Sequence, residues 1–558
     1  MTAQQKRSAT AIDAVAEGWV DTLVDLEPTA GTYIGRNEAN DRFSDYSPEG
    51  IQKLRESLAR TKSALDAQTA VDDVDSVTKE DLGRELDLSI ETLDAGLPLR
   101  NLNVIESPSQ EIREAFDLMP TDTVDDWSTI SARLSRVPEA ISGYLETLQS
   151  GIEQGITPAR RQVFEVAAQA RKVAASDGFF STFAASASPA DGSLPSSLAA
   201  DLTERATRAA EAYGRLASFL TDELAGAATE RDAIGRELYA LRSRQFLGAT
   251  IDLDETYEWG IEELARMVDE QESIARQIKP GASVLEAIEH LEHDESRKLQ
   301  GTDALQRWMQ ATSDRAVADL GKDHFDIPDE IRTIECMIAP TQEGGIYYTG
   351  PTDDFSRPGR MWWSVPEGVT EFDTWRELTT VYHEGVPGHH LQIGQSVYNR
   401  DSLNSWRRLL AGTSGHAEGW ALYAERLMEQ LGYLDDPADR LGMLDGQRMR
   451  AARVVLDIGV HLEKQRPDGA GPWTAYYAFD FLGRNVNMNE GFVRFEVNRY
   501  LGWPGQAPSY KVGQRIWEQM RDDARAAEGE SFDIKDFHRR ALALGGVGLD
   551  TLKNALTV

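Results

Sequence analysis

Three of the nine histidines in this chain lie within eight residues, in the segment HEGVPGHH at residues 383–390. In an H-E-x-x-H motif, two histidines one helical turn apart bind zinc, and the glutamate after the first is the general base toward the water that the metal activates. Here Pro387 occupies the position of the second histidine, and proline has no ligand nitrogen. The plain motif therefore requires a change in the path of the chain.

Pro387 itself predicts that change of path. Proline cannot donate a hydrogen bond to the carbonyl of His383, and two nearby glycines permit turns. We expect the helix to bulge or break here, and a bulge of two residues places His389 where the second histidine of the plain motif would lie. His390 then points away, although the spacing alone leaves either of these adjacent histidines open as the second ligand.

A third ligand is expected on the following helix, within GHAEGWALYAE at residues 415–425. Glu418 and Glu425 lie two turns apart on one face of that helix, and we assign Glu418 to the metal, which leaves a fourth coordination position open. His416 is the alternative ligand, and exposure of both glutamates to solvent is the alternative to any role in a site. Zinc is the expected ion, although two histidines and a glutamate also suit iron or cobalt.

Hydrolysis of an amide bond assigns further roles. Glu384 is the expected general base, because it directly follows the first histidine of the motif. The oxyanion that develops needs a hydrogen-bond donor, and Tyr510 and His461 are the candidates. The structural alternatives are a core position for Tyr510 and a pair between His461 and Asp457, four residues earlier on a predicted helix.

Basic residues in the same part of the chain are candidates for binding a substrate carboxylate. Arg453 precedes Asp457 by four residues on one predicted helical face, and Arg453 or Lys511 could hold the free carboxylate of a short peptide. A salt bridge between Arg453 and Asp457 is the alternative. The predicted strands around Tyr348 could accept a peptide backbone by edge pairing.

Helices dominate the elements that must position these residues. At residues 202–224 the apolar positions are spaced by four, three, four, three, four and four, which is typical of one buried helical stripe. Short β-branched or aromatic runs predict strands at 331–338, 345–349 and 360–365. Helical patterning then returns and continues to the end of the sequence.

These patterns predict a mainly α fold, in which a large multi-helix body encloses a zinc cleft and a small β-sheet is embedded before the metal-binding helix. All nine histidines lie at or beyond His290. We therefore divide the chain into a helical scaffold or lid region at residues 1–325 and a catalytic region at residues 326–558, within one compact unit.

The composition limits the partners of the protein. With 58 basic and 93 acidic residues, the 558-residue chain has a net charge of −35, which repels nucleic acid and anionic membrane surfaces. An anionic substrate would therefore need a local basic pocket. The single cysteine, Cys336, lies in an apolar run and is expected to be a buried hydrophobic residue. The N-terminal sequence has no signal-peptide pattern and no apolar run is long enough to cross a membrane, so we expect a cytoplasmic protein.

The motif at residues 383–390 resembles that of the domain of unknown function 885 (DUF885) family, placed among zincin-type metallopeptidases, whose pattern is H-E-x-x-P-G-H. Further segments of the second half also look like this family; they are EGWALYAE at 418–425, RAARVVLDIGVH at 450–461, PGQAPSYKVG at 504–513 and FDIKDFH at 532–538. The final segment, at 544–549, departs from the family pattern because it lacks an expected proline. The resemblance implies a mostly helical body around a zinc cleft and peptide-bond hydrolysis, and it names no substrate.

The expected function is thus zinc-dependent hydrolysis of peptide bonds in short peptides, by a carboxypeptidase-like or dipeptidase-like enzyme. One alternative keeps the metal site and makes the substrate a non-peptide amide. Another, from a different class, is a non-catalytic helical binding protein with a structural metal site. The sequence leaves the oligomeric state open, a homodimer included.

Overall fold

The computed structural model describes residues 6–339 and 345–557 of the chain. Helices account for most of these residues, which confirms the predicted mainly α fold. Within this part of the chain, no helix combines the length and the apolar character that crossing a bilayer requires.

The N-terminal helices follow the apolar spacing of the sequence. Their bounds are α1 Ala11–Leu26, α2 Pro28–Tyr33, α3 Pro48–Asp66, α4 Asp73–Asp94, α5 Pro108–Glu114, α6 Val124–Leu134, α7 Val137–Gln154, α8 Arg160–Ala174, α9 Phe179–Ala185, α10 Ser196–Phe219, α11 Ala225–Ala227, α12 Arg236–Leu247, α13 Leu253–Ile278, α14 Val284–Glu292 and α15 Thr302–Asp323. Helix α10 buries Leu202, Tyr213 and Leu216 along one stripe, as its spacing predicts. Thr10 and Ser283 begin α1 and α14 with reciprocal side-chain and backbone hydrogen bonds.

Short strands lie on both sides of α15, the first before it and the others between it and the helix that carries the histidine motif. They are β1 Lys298–Gln300, β2 Ile334–Ile338, β3 Ile346–Thr349, β4 Gly359–Trp363 and β5 Glu371–Asp373. Strand β4 is the centre of a three-stranded sheet, parallel to β2 and antiparallel to β3, and β1 pairs antiparallel with β5. The three predicted strands thus form one small sheet, and Cys336 is buried in it as expected.

The remaining helices follow the sheet. They are α16 Thr374–Glu384, α17 His389–Tyr398, α18 Ser414–Gln430, α19 Pro437–His461, α20 Ala475–Gly483, α21 Glu490–Gly502, α22 Ser509–Glu528, α23 Ile534–Ala543 and α24 Leu549–Thr557. Glycines bring four of them into close contact. A Cβ atom at Gly419 would lie 2.5 Å from the carbonyl carbon of Gly513, so α18 and α22 meet backbone to backbone. A Cβ atom at Gly442 of α19 would lie 3.1 Å from Cα of Arg376 on α16.

Several hydrophobic cores stabilise the described part of the chain. The largest runs from Tyr239 to Leu552, so helices on both sides of residue 325 share one core. Two further cores lie earlier in the chain, one between Leu102 and Ala228 and one among α1, α3 and α4. The small sheet packs against α15 and α16 in a core of its own. The division into scaffold and catalytic regions stays a prediction.

Candidate metal centre

The histidine motif lies where one helix ends and the next begins. Helix α16 ends at Glu384 and α17 begins at His389, which confirms the predicted break. The Val386–Pro387 peptide between them is cis. The indole of Trp420 on α18 donates a hydrogen bond to the carbonyl of Pro387, at 2.8 Å, and so joins the turn to the next helix.

The break brings His389 beside His383. Ligand atoms of His383, Glu384 and His389 lie within 4.8 Å of one another, and all three residues are buried. The two imidazole rings are perpendicular, with centroids 4.9 Å apart. The turn between α16 and α17 therefore brings His383 and His389 together, although they are six residues apart in the sequence and not four.

Glu418 lies beside both histidines and is the third candidate ligand. Its Oε2 atom lies 3.3 Å from Nε2 of His383 and 3.6 Å from Nε2 of His389. Two ligand atoms bound to one tetrahedral zinc ion at 2.0–2.1 Å are about 3.3 Å apart, so these separations suit a shared ion. The Oε2 atom of Glu418 is buried and has no hydrogen-bond partner among the described residues, which is the state expected of a ligand atom.

Glu425 fixes the orientation of the first histidine. Its Oε1 atom accepts a hydrogen bond from Nδ1 of His383 at 2.8 Å, so Nε2 faces Glu418. Burial alone would lower the pKa of His383, but Glu418 and Glu425 outweigh it and raise that pKa to about 10. A positive charge is thus strongly favoured between these groups, as a proton or as a metal ion.

Glu384 is the third carboxyl group of the site, after Glu418 and Glu425. Burial raises its pKa, and the neighbouring imidazoles of His389 and His383 oppose that shift. A carboxylate whose pKa moves toward neutrality is suited to accept a proton from water. The side chains therefore fit a divalent cation with a general base beside it.

Tyr510 is the predicted oxyanion donor that lies close to these residues. The carboxylate of Glu418 contributes, after burial, to raising the pKa of Tyr510. Its ring lies beneath the guanidinium groups of Arg450 and Arg453, at 5.9 and 5.2 Å. The hydroxyl group has no hydrogen-bond partner within residues 6–339 and 345–557.

His461 does not join the site, and this prediction is corrected. The residue has no exposed surface, and its Nε2 atom donates to the carbonyl of Tyr500 at 3.0 Å. Its ring stacks on Tyr239, whose hydroxyl donates to Asp457. Arg450 lies eleven residues earlier on the same helix, about 16 Å along the axis. Enclosure and distance together keep His461 from reaching a substrate at the metal centre.

Arg453 and Lys511 are near the centre but are closed off by partners. Arg453 pairs with Glu496 and the hydroxyl of Tyr500, each at 2.7 Å, so its partner is not Asp457. The Lys511 amino group contacts side-chain oxygens at 2.7–3.0 Å; these belong to Gln447, Gln514 and Glu263. Both cations are buried and paired, which corrects the prediction that either receives a substrate carboxylate.

The remaining candidates support the structure around the motif. His390 donates from Nε2 to the carbonyl of Ile331 at 2.7 Å, and Tyr348 donates to its Nδ1 at 2.9 Å. The Tyr348 hydroxyl is thus committed to His390 and not to substrate, although its strand lies at the edge of the sheet. His416, the alternative third ligand, contacts Gln392 instead of the other histidines.

Arg450 is the residue at this site that the sequence reasoning missed. Arg450 is the first residue of the family-like segment at 450–461. The sequence does not show whether Arg450 or Arg453 has an acidic partner, so it does not distinguish their roles. In the structure the charge of Arg450 acts on Glu384 and Glu425, yet it forms no ion pair or hydrogen bond among the described residues. The signal that identifies it is an unpaired cation beside a cluster of carboxylates.

Comparison with known proteins identifies the family. Among curated proteins, no sequence matches this chain. A structure described as a "putative lipoprotein" from Colwellia psychrerythraea is 21% identical, with a TM-score of 0.84 over 98% of this chain and 99% of that one. A second, described as a "putative lipoprotein of unknown function" from Shewanella oneidensis, is 17% identical, with a TM-score of 0.76 over 99% of this chain and 100% of that one. These likenesses show a shared fold.

The family model for bacterial proteins of unknown function, DUF885, matches residues 28–556. The matched residues include the histidine motif, Glu418 and helix α19, which carries Arg450. The chain therefore belongs to the DUF885 family.

Proposed function

We propose that the protein is a zinc-dependent, zincin-like hydrolase with an H-E-x-x-P-G-H motif, which cleaves peptide bonds in short peptides. The observation that carries this proposal is the convergence of His383, His389 and Glu418 on one point, with Glu384 beside them. Three protein ligands and one open position are typical of catalytic zinc sites, whereas structural sites use four.

The roles of the side chains follow from their contacts. His383, His389 and Glu418 would hold the ion, which when bound supplies Lewis acidity to a water molecule and to a substrate carbonyl. Glu384 accepts a proton at its carboxylate and later returns it to the leaving amine. The hydroxyl of Tyr510, which has no hydrogen-bond partner among the described residues, would donate to the oxyanion.

Two alternatives compete with this proposal. A non-peptide amide would use the same residues, and only the choice of substrate separates the two hydrolases. A non-catalytic helical binding protein would have a structural metal site and would need no base at position 384. Zinc as the ion, a cytoplasmic location and the oligomeric state stay predictions.

Replacement of the base tests the proposal. The zinc-loaded wild type is first screened against a library of di- to hexapeptides, and the Glu384→Gln variant is then compared on the peptides that are cleaved. We expect zinc content to be unchanged and hydrolysis to fall by about 10²–10⁴-fold, because the ligands remain and the base is lost. Glu377→Gln, two turns earlier on α16, is the matched control and should retain full activity.

The outcomes separate the three readings of the site. Full activity in Glu384→Gln at full zinc content would falsify the proposed mechanism. Absence of peptide hydrolysis by the zinc-loaded wild type, together with turnover of other amides, favours the second hydrolase. Absence of any hydrolysis favours the binding protein.

A further inference from the structure

Helix α19 carries three polar side chains at intervals of three residues beside Glu425 and Tyr510. Gln447 bridges Glu425 and Lys511, and Arg453 pairs with Glu496. Arg450, between them, makes no hydrogen bond or ion pair within residues 6–339 and 345–557, and its Nε atom is buried without a partner. Other arginines, such as Arg448 and Arg499, also have a buried nitrogen without a partner, but their remaining guanidinium nitrogens make hydrogen bonds, whereas those of Arg450 make none among the described residues.

The guanidinium of Arg450 lies between Tyr510 and the backbone of its own helix. The group lies over the ring of Tyr510, 5.9 Å from its centroid. On its other side it lies against Gly446, one turn earlier on α19, where an added Cβ atom would approach Nη1 to 2.6 Å. The absence of a side chain at this position therefore leaves the space that the guanidinium occupies.

Charge explains what such a group could bind. The chain has a net charge of −35, so an anionic ligand is repelled at long range and needs a local cation. Arg453 and Lys511 are buried and already paired, whereas Arg450 is partly exposed and its N–H donors have no acceptor among the described residues. A guanidinium offers a planar fork of N–H donors that matches a carboxylate.

We propose that Arg450 binds the C-terminal carboxylate of the peptide substrate and so directs cleavage to bonds near the free C-terminus. This inference rests on the proposed hydrolase function and names its substrate class. Arg450 is then a specificity residue that takes the role the sequence suggested for Arg453 or Lys511.

Binding and cleavage of matched peptides test the assignment. Calorimetry measures the affinity of the zinc-loaded Glu384→Gln variant for trialanine, for trialanine amide and for the amide Ala-Ala-Glu-NH2, with and without Arg450→Ala. We expect the free acid to bind more tightly than either amide, and Arg450→Ala to weaken the free acid alone by about 10- to 100-fold. The amide with a side-chain carboxylate distinguishes a terminal carboxylate from any carboxylate.

Two further variants guard against an indirect effect. Gly446→Ala keeps the charge of Arg450 but displaces its guanidinium, and alanine is a better helix former, so the fold should be retained. It should weaken binding of the free acid and not of the amides. Arg448→Ala removes one charge from the same helix, where that residue contacts Gln271 and Asn485, and should change neither.

These measurements test the inference separately from the proposed function on which it rests. Equal binding of trialanine and its amide, or no binding of either, overturns the inference. So does an equal loss for acid and amides in Arg450→Ala, which would give Arg450 a structural role at the site and no role in recognising a carboxylate. An Arg450-dependent preference for the free acid supports the inference, even where the wild type hydrolyses no peptide and the proposed function fails.

Discussion

Two neighbouring stretches of helix α19 carry the same kinds of side chain and differ in their partners. The open stretch is the turn around Arg450, and the closed stretch runs from Arg453 to His461. Arg450 and Arg453 lie three residues apart, and both guanidinium groups cover the ring of Tyr510. Arg453 is enclosed with Glu496 and Tyr500, and the helix beyond it ends in the buried His461. Arg450 has no hydrogen-bond or ion-pair partner among the described residues, and its charge acts on Glu384 of the histidine motif.

The difference teaches that burial of a charged residue does not identify a functional one. A buried pair such as Arg453 and Glu496 satisfies both charges and leaves nothing for a ligand. The candidate metal centre instead contains atoms without a hydrogen-bond partner in the described part of the chain, including Oε2 of Glu418 and Nε of Arg450. The closed stretch also has atoms without a hydrogen-bond partner among the described residues, Oδ1 of Asp457 and Nδ1 of His461, but these residues are fully buried. An unpaired charged group that keeps some exposure therefore distinguishes Arg450 from the closed stretch.

Removal of the metal ligands should have the largest effect. We expect His389→Ala and Glu418→Ala to reduce zinc content from near stoichiometric to background, because each leaves only two of the three ligands. The adjacent His390→Ala should retain zinc, since His390 bonds to Ile331 and Tyr348. Plasma mass spectrometry of the purified proteins measures this. Equal loss in His389→Ala and His390→Ala would contradict the ligand assignment.

Substitution in the closed stretch should lower the stability of the fold. Arg453→Met removes one of the partners of the buried Glu496, which keeps Arg499 and the Tyr500 hydroxyl, and we expect the free energy of unfolding to fall by about 1–3 kcal/mol. The matched variant Arg450→Met should cost much less, because no ion pair is broken. Urea unfolding followed by circular dichroism measures both. Similar losses in the two variants would remove the distinction between the stretches.

The hydrogen bond from His383 to Glu425 should have a smaller effect on metal binding. Glu425→Gln keeps the shape of the side chain but weakens its hold on Nδ1, and we expect zinc affinity to fall by about 10- to 100-fold. Glu429→Gln, one turn later on α18, pairs with Arg426 and is the matched control. Competition with a chelator measures the affinities. Unchanged affinity in Glu425→Gln would show that the carboxylate does not support the ligand.

Much of the fold and the core of the candidate site followed from local features of the sequence. Apolar spacing predicted α10, and short β-branched runs predicted the strands, because burial of one face imposes a period on the residues that form it. Pro387 predicted the break between α16 and α17, since its ring and missing N–H act on the immediate neighbours. The grouping of His383, Glu384 and His389 depends on that break alone.

The roles of residues distant in the sequence could only be read from the tertiary structure. Arg450, Arg453 and Lys511 are all basic residues near family-like motifs, and nothing local shows which of them will find an acidic partner. Those partners, Glu496 for Arg453 and Glu263 for Lys511, come from other helices. The periodicity of a helix determines which face a side chain lies on, but the packing of helices determines what lies opposite. The sequence therefore specified the candidate ligands and the candidate base, and tertiary packing decided which nearby cation has no acidic partner among the described residues.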